Sequence, residues 1–108
     1  MSLIDGRVFL FEQFLLDPVR RSLTFEGRDI DLRPKSFDVL CALLSKAGEV
    51  VPKDELIQHA WPGLVVTDDS LTQCVGDIRR ALGESGPRLV KTAPRRGYSF
   101  AAPVQRQK

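Results

Sequence analysis

The sequence predicts an α+β domain: an N-terminal four-stranded antiparallel sheet, three helices and a C-terminal β-hairpin. Three observations carry this. Short runs of polar-apolar alternation fill the first third, 3.6-residue periodicity replaces them in the middle, and a turn-centred pair of short strands closes the chain. With 108 residues, 43% of them hydrophobic, there is material for one domain with one core. The expected boundaries are a leader over residues 1–7, the domain over 8–103, and a linker or tail beginning at 104–108.

Val8-Phe9-Leu10-Phe11 and Phe14-Leu15-Leu16 are short apolar runs separated by Glu12-Gln13. Asp17-Pro18 breaks the chain before the alternating Ser22-Leu23-Thr24-Phe25, and Glu26-Gly27 is a tight-turn signal before Arg28–Leu32. These read as a meander with one packed and one wet face. Pro34 suits the first turn of a helix whose apolar stripe is Phe37, Leu40, Cys41, Leu43 and Leu44, stopped at Gly48. Val50-Val51-Pro52 reads as an extended connector, and Lys53–Trp61 as a shorter helix ended by Pro62-Gly63.

Leu64-Val65-Val66-Thr67 is an apolar loop. The expectation is that it tucks beneath the helices, the alternative being a surface kept for a protein partner. The third helix has both ends written into it, with Asp68, Asp69 and Ser70 as candidate N-caps, Arg79 and Arg80 in the last turns, and Gly83 as a left-handed stop. Leu71, Val75, Ile78 and Leu82 form its buried stripe, while Thr72, Gln73, Gly76, Asp77 and Arg80 face the other way. A polar loop, Glu84–Pro87, leads to strands Arg88–Thr92 and Tyr98-Ser99-Phe100 around the turn Pro94-Arg95-Arg96-Gly97.

Charge is distributed unevenly along the chain. Residues 1–69 hold 8 Lys/Arg and 12 Asp/Glu, net −4, whereas residues 70–108 hold 8 and 2, net +6. Such asymmetry is the footprint of a polyanion-binding surface, and two arginines at a hairpin tip suit a phosphate-lined groove. His59 is the only histidine. No nucleophilic dyad with Cys41 or Cys74 and no zinc-ligand spacing stands out, and there is no glycine-rich phosphate loop, so nothing argues for an enzyme, a metal or a cofactor. No apolar run approaches ~20 residues, so no membrane contact is expected in this segment, and the two thiols fit a reduced cytoplasmic setting.

Four strands, three helices and a basic hairpin, with Leu32–Leu40, Val50–Leu56, Trp61, Ser70–Leu82 and Arg96–Phe100, closely resemble the winged helix-turn-helix DNA-binding domain of the OmpR/PhoB type. Trp61-Pro62-Gly63, Asp68–Cys74 and Thr92–Tyr98 resemble most the one-component branch of CadC- and ToxR-like and tetratricopeptide-containing bacterial regulators. The resemblance implies a transcriptional regulator that binds double-stranded DNA, with the helix over 68–82 in the major groove and the wing over 91–98 at the flanking minor groove. Carried over residue by residue, Ser70, Thr72, Gln73, Gly76 and Asp77 are the base-contacting positions. Gln73 is suited to adenine, Thr72 to a thymine methyl and Asp77 to a cytosine amine. Trp61, Arg79, Arg80 and Lys91 are the phosphate-contacting positions, and Arg95 and Arg96 the minor-groove arginines of the wing. The resemblance also implies that Pro62, Gly63, Leu64, Val65, Val66 and Thr67 match a segment through which some relatives contact RNA polymerase. A second copy on tandem half-sites is a further implied partner; a small-molecule ligand is not.

Many response regulators carry basic residues where Gly76 and Asp77 stand, so this helix is expected to bring less charge to the groove. The competing reading is a winged helix used for protein–protein contact with an incidental basic wing, and salt dependence separates the two. RNA binding lacks the exposed aromatic platforms that single strands require.

Overall fold

The computed structural model describes residues 8–107, so the leader expected over residues 1–7 lies outside the described residues. Strands β1 (Val8–Phe11), β2 (Phe14–Asp17), β3 (Ser22–Phe25) and β4 (Arg28–Asp29) form the expected antiparallel meander. Phe9, Phe11, Phe14, Leu16 and Leu23 are buried on one face, as the alternation requires. The fourth strand is shorter than expected and ends before Ile30. A fifth strand joins this sheet from the far end of the chain. Gln105–Gln107 (β8) pairs antiparallel with β1, giving the order β4-β3-β2-β1-β8. The segment read as the start of a tail thus carries an edge strand, held by Arg106, which lies over the Phe9 ring and donates to the Ser45 carbonyl.

Helix α1 (Pro34–Ser45) begins with Pro34 in its first turn and buries eight of its twelve residues, which makes it the central helix. Helix α2 (Lys53–Ala60) and helix α3 (Asp68–Ala81) pack against it. The expected stripe of α3 is confirmed, since Leu71, Val75, Ile78 and Leu82 are each at most 3% exposed, and Gly83 has φ +67. Its start differs from expectation. Thr67 is the N-cap residue and makes no side-chain capping bond, so Asp68, Asp69 and Ser70 lie within the first turn, where the two carboxylates still oppose the helix dipole.

The connector Val50–Pro52 is a strand (β5), because its backbone pairs with β7 (Gly97–Phe100), which in turn pairs with β6 (Val90–Ala93). The wing is therefore the outer part of a three-stranded sheet. The expected polar loop over 84–87 is a 3₁₀ turn, Gly83–Ser85, followed by a short helix, α4 (Gly86–Leu89), so the strand begins at Val90 and not at Arg88. Gly86 permits this close return. A Cβ there would stand 2.0 Å from the Arg79 carbonyl oxygen on α3. Phe11 joins the two sheets, stacking on Phe14 at 5.2 Å and meeting Phe100 edge-on at 4.9 Å.

Candidate nucleic-acid interface

Helix α3 presents Thr72, Gln73 and Arg80 to solvent along one face, with Ser70, Gly76 and Asp77 half-buried beside them. The periodicity that buries Leu71, Val75 and Ile78 leaves this strip outside. The wing stands next to it. Lys91 is exposed on β6, and Arg95 and Arg96 are exposed at the tip, where the Arg96 N–H donates to the Ala93 carbonyl at 2.9 Å and Arg95 takes φ +66.

Arg79 couples the two. Its Nε and Nη2 donate to the Val90 carbonyl at 3.1 and 2.9 Å, and Nη2 donates to Thr92 Oγ1 at 2.8 Å. The position read as a phosphate contact is thus a clamp between α3 and β6, with its guanidinium turned onto the wing strand. Thr92, which the sequence reading passed over, is half of that clamp. Its only sequence signal is a hydroxyl in a strand beside an arginine-rich helix end.

Asp77 is likewise engaged within the fold. Oδ2 accepts from Arg33 Nε at 2.5 Å and from Ser36 Oγ at 2.8 Å, and Oδ1 accepts from Arg80 Nη2 at 2.6 Å. Its side chain is 16% exposed. Burial alone would raise its pKa. Hydrogen bonds from Ser36 and Arg33, the Arg33 charge and the Arg80 bond outweigh it, and hold the carboxyl below its usual value. With three donors already on two oxygens, Asp77 is a hub joining α1 to α3, and of the carboxylate's roughly four acceptor sites it is Oδ1, with a single partner, that has capacity left for a base. Arg33 and Ser36 lie 44 and 41 positions away, so no local pattern announces them.

Trp61 is half-buried as the C-cap residue of α2 and packs on the core. Lys35, beside it, donates from Nζ to the Ala60 carbonyl at 2.6 Å, closing the end of α2. The apolar loop after Trp61 is not tucked in. Leu64 is 59% and Val65 103% exposed, while Val66 is half-buried. Leu56, Ala60 and Leu71 on the flanking helices are buried in the core, whereas Leu64 and Val65 stay outside it. Among the described residues no helix is long and apolar enough to cross a membrane.

The family model described as "Transcriptional regulatory protein, C terminal" matches residues 27–100. The chain is 33% identical over 95 residues to the transcriptional activator CadC of Escherichia coli K12, covering 85% of this chain and 19% of that protein. It spans about a fifth of the length of CadC and of the Salmonella regulator HilA, and 38% of the Vibrio cholerae cholera toxin transcriptional activator. The solved DNA-binding domain of E. coli CadC superposes with a TM-score of 0.81 at 31% identity, covering 92% of this chain and 95% of that one. The Klebsiella pneumoniae RstA DNA-binding domain, solved in complex with the RstA box, gives 0.74 at 28% identity, covering 87% and 96%.

Proposed function

This chain belongs to the family of transcriptional regulatory protein C-terminal domains, and from that premise we propose that it is a sequence-specific reader of double-stranded DNA in a bacterial transcriptional regulator. The observation that carries the reading is the exposed polar strip of α3 fixed beside two exposed wing arginines by the Arg79 clamp. A helix of this width fits the major groove. The wing, at its flank, reaches the narrower groove, where negative potential favours arginine. Ser70, Thr72 and Gln73 face the bases, Lys91 faces phosphate, and residues 8–103 with the β8 edge strand make up the binding unit. On this reading the domain works in the cytoplasm, where bacterial DNA lies.

Two further partners belong to the same reading. The exposed Leu64-Val65 pair on the loop over 62–67 is the surface offered to RNA polymerase, and a second copy would occupy a tandem half-site.

Selection from a random duplex library, followed by a salt titration on the winning site, tests the proposal. An enriched motif of several base pairs is expected. With about six phosphates neutralised, affinity should fall roughly a thousandfold between about 50 and 200 mM salt. Gln73→Ala should relax preference at about one base pair by ~1–3 kcal/mol. No enrichment together with a shallow salt slope would replace DNA reading by protein contact.

A further inference from the structure

Arg80 does not extend away from α3. Its guanidinium folds back one turn, so that a Cβ at Gly76 would stand 3.4 Å from Nη1 and 4.0 Å from Nη2. Nη2 is anchored on Asp77 Oδ1 at 2.6 Å, and the Arg80 side chain remains 74% exposed. Among the described residues its other N–H groups have no acceptor. Asp77 is itself fixed from behind by Arg33 and by the buried hydroxyl of Ser36. The surface of α3 at residues 76 and 77 is therefore neither a bare glycine nor a free carboxylate. It is a guanidinium folded back beside the glycine and tethered through Nη2 to Asp77.

From this geometry we propose that Arg80 reads a guanine in the major groove, with its guanidinium lying beside Gly76 and Asp77 acting as the residue that positions it. The proposal deepens the DNA-reading function above and rests on it. A pre-oriented fork loses less side-chain freedom on binding than a free arginine, and it matches the O6 and N7 acceptors of guanine. A simple phosphate trap is the poorer fit. Asp31, Arg33, Asp77 and Arg80 share one open cleft of about 570 Å³, two carboxylates against two guanidinium groups, so the cluster has no net positive charge to attract a polyanion. Its contribution is geometric, which is what base discrimination requires.

Position along the helix gives the proposal a second, checkable consequence. From Gln73 to the middle of residues 76–77 is about 5 Å along the axis at ~1.5 Å per residue. One DNA strand rises ~3.4 Å per base. The guanine should thus lie one to two steps from the base pair read by Gln73.

The test uses the 108-residue chain and duplexes carrying its selected site, changed one base pair at a time, with thermal melts as a folding control. Arg80→Lys keeps the charge and loses the fork. It should abolish a preference of roughly ten- to a hundredfold for G·C at one position, with the salt slope unchanged. Arg80→Ala should lose the same preference. Asp77→Asn should weaken it severalfold while binding to unrelated duplex DNA does not fall, an outcome that a purely structural role for Asp77 does not produce. The proposal is overturned if Arg80→Lys retains every base preference, or if Arg80→Ala weakens all duplexes equally and lowers the salt slope by about one, the mark of a phosphate contact. Absence of any selected site with the unmodified chain would instead overturn the DNA-reading function itself.

Discussion

Replacing Arg79 with alanine distinguishes a clamp from a phosphate ligand, because the two roles predict opposite changes. Arg79 donates to two acceptors on β6, the carbonyl of the buried Val90 through two N–H groups and the Thr92 hydroxyl through one. A hydrogen bond from a charged donor is worth about 1.5–3 kcal/mol net. The two bonds to Val90 share one oxygen and the side chain is half-buried, so they do not add in full, and we expect Arg79→Ala to lower stability by about 2–3 kcal/mol. At roughly 5 °C per kcal/mol for a domain near 100 residues, that is a fall in Tm of about 10–15 °C. Thr92→Val removes the smaller share, about 1 kcal/mol, and the double variant should fall short of additivity because the two losses overlap. Thermal unfolding by circular dichroism measures the first quantity. A salt titration of duplex binding well below both transitions measures the second. A clamp leaves the salt slope nearly unchanged and weakens binding only by loosening the wing. A Tm within about 2 °C of the unmodified chain, with a slope reduced by about 0.9, would refute the clamp and restore Arg79 as a phosphate ligand.

The wing predicts a different signature. Arg95→Ala with Arg96→Ala should weaken binding to every duplex and flatten the salt slope by up to about 1.8, with Tm unchanged, since both side chains are exposed; an unaltered slope would show that the tip does not touch DNA. Cys41 should resist alkylation in the folded chain and react only on unfolding. Burial first, and the Asp38 charge next, push its thiol up to about 12 against a small opposing effect of Arg21, and mass spectrometry after limited labelling checks this. Asp77, with its carboxyl held low, contributes stability that is present above the ordinary value of 3.8 and lost as pH falls through the lower folded value. The Tm difference between the unmodified chain and Asp77→Asn should therefore stay constant down to about pH 4 and narrow below it; a gap independent of pH would contradict the charge-based hub.

What the sequence made legible was periodic. Leu71, Val75, Ile78 and Leu82 announce the buried face of α3, Phe37 to Leu44 announce a helix buried on most sides, and Glu26-Gly27 announces a turn, because each is a local rule acting over a few residues. The strands β5 and β8 were not legible for the opposite reason. Val50–Pro52 is too short to alternate, and Gln105–Gln107 has no apolar face at all, so both exist only because a distant strand edge accepts their backbone. Val65 misled for a third reason. Hydropathy favours burial, but it does not say whether a loop of this length can reach the core that Leu56, Ala60 and Leu71 enter from the helices on either side.

The candidate interface shows where one-dimensional reading stops in physical terms. Periodicity assigns Asp77 and Arg80 to the outer face of α3 and Arg79 to its edge, but it cannot count hydrogen bonds already made. Arg79 is committed to Val90 and Thr92, and Asp77 to Arg33, Ser36 and Arg80. An outward-facing residue reads a base only with the donors or acceptors that its neighbours leave unused. By that measure Gly76 and Asp77, which looked like a loss of basic character in the recognition helix, provide the floor and the anchor for a guanidinium that enters from one turn further along.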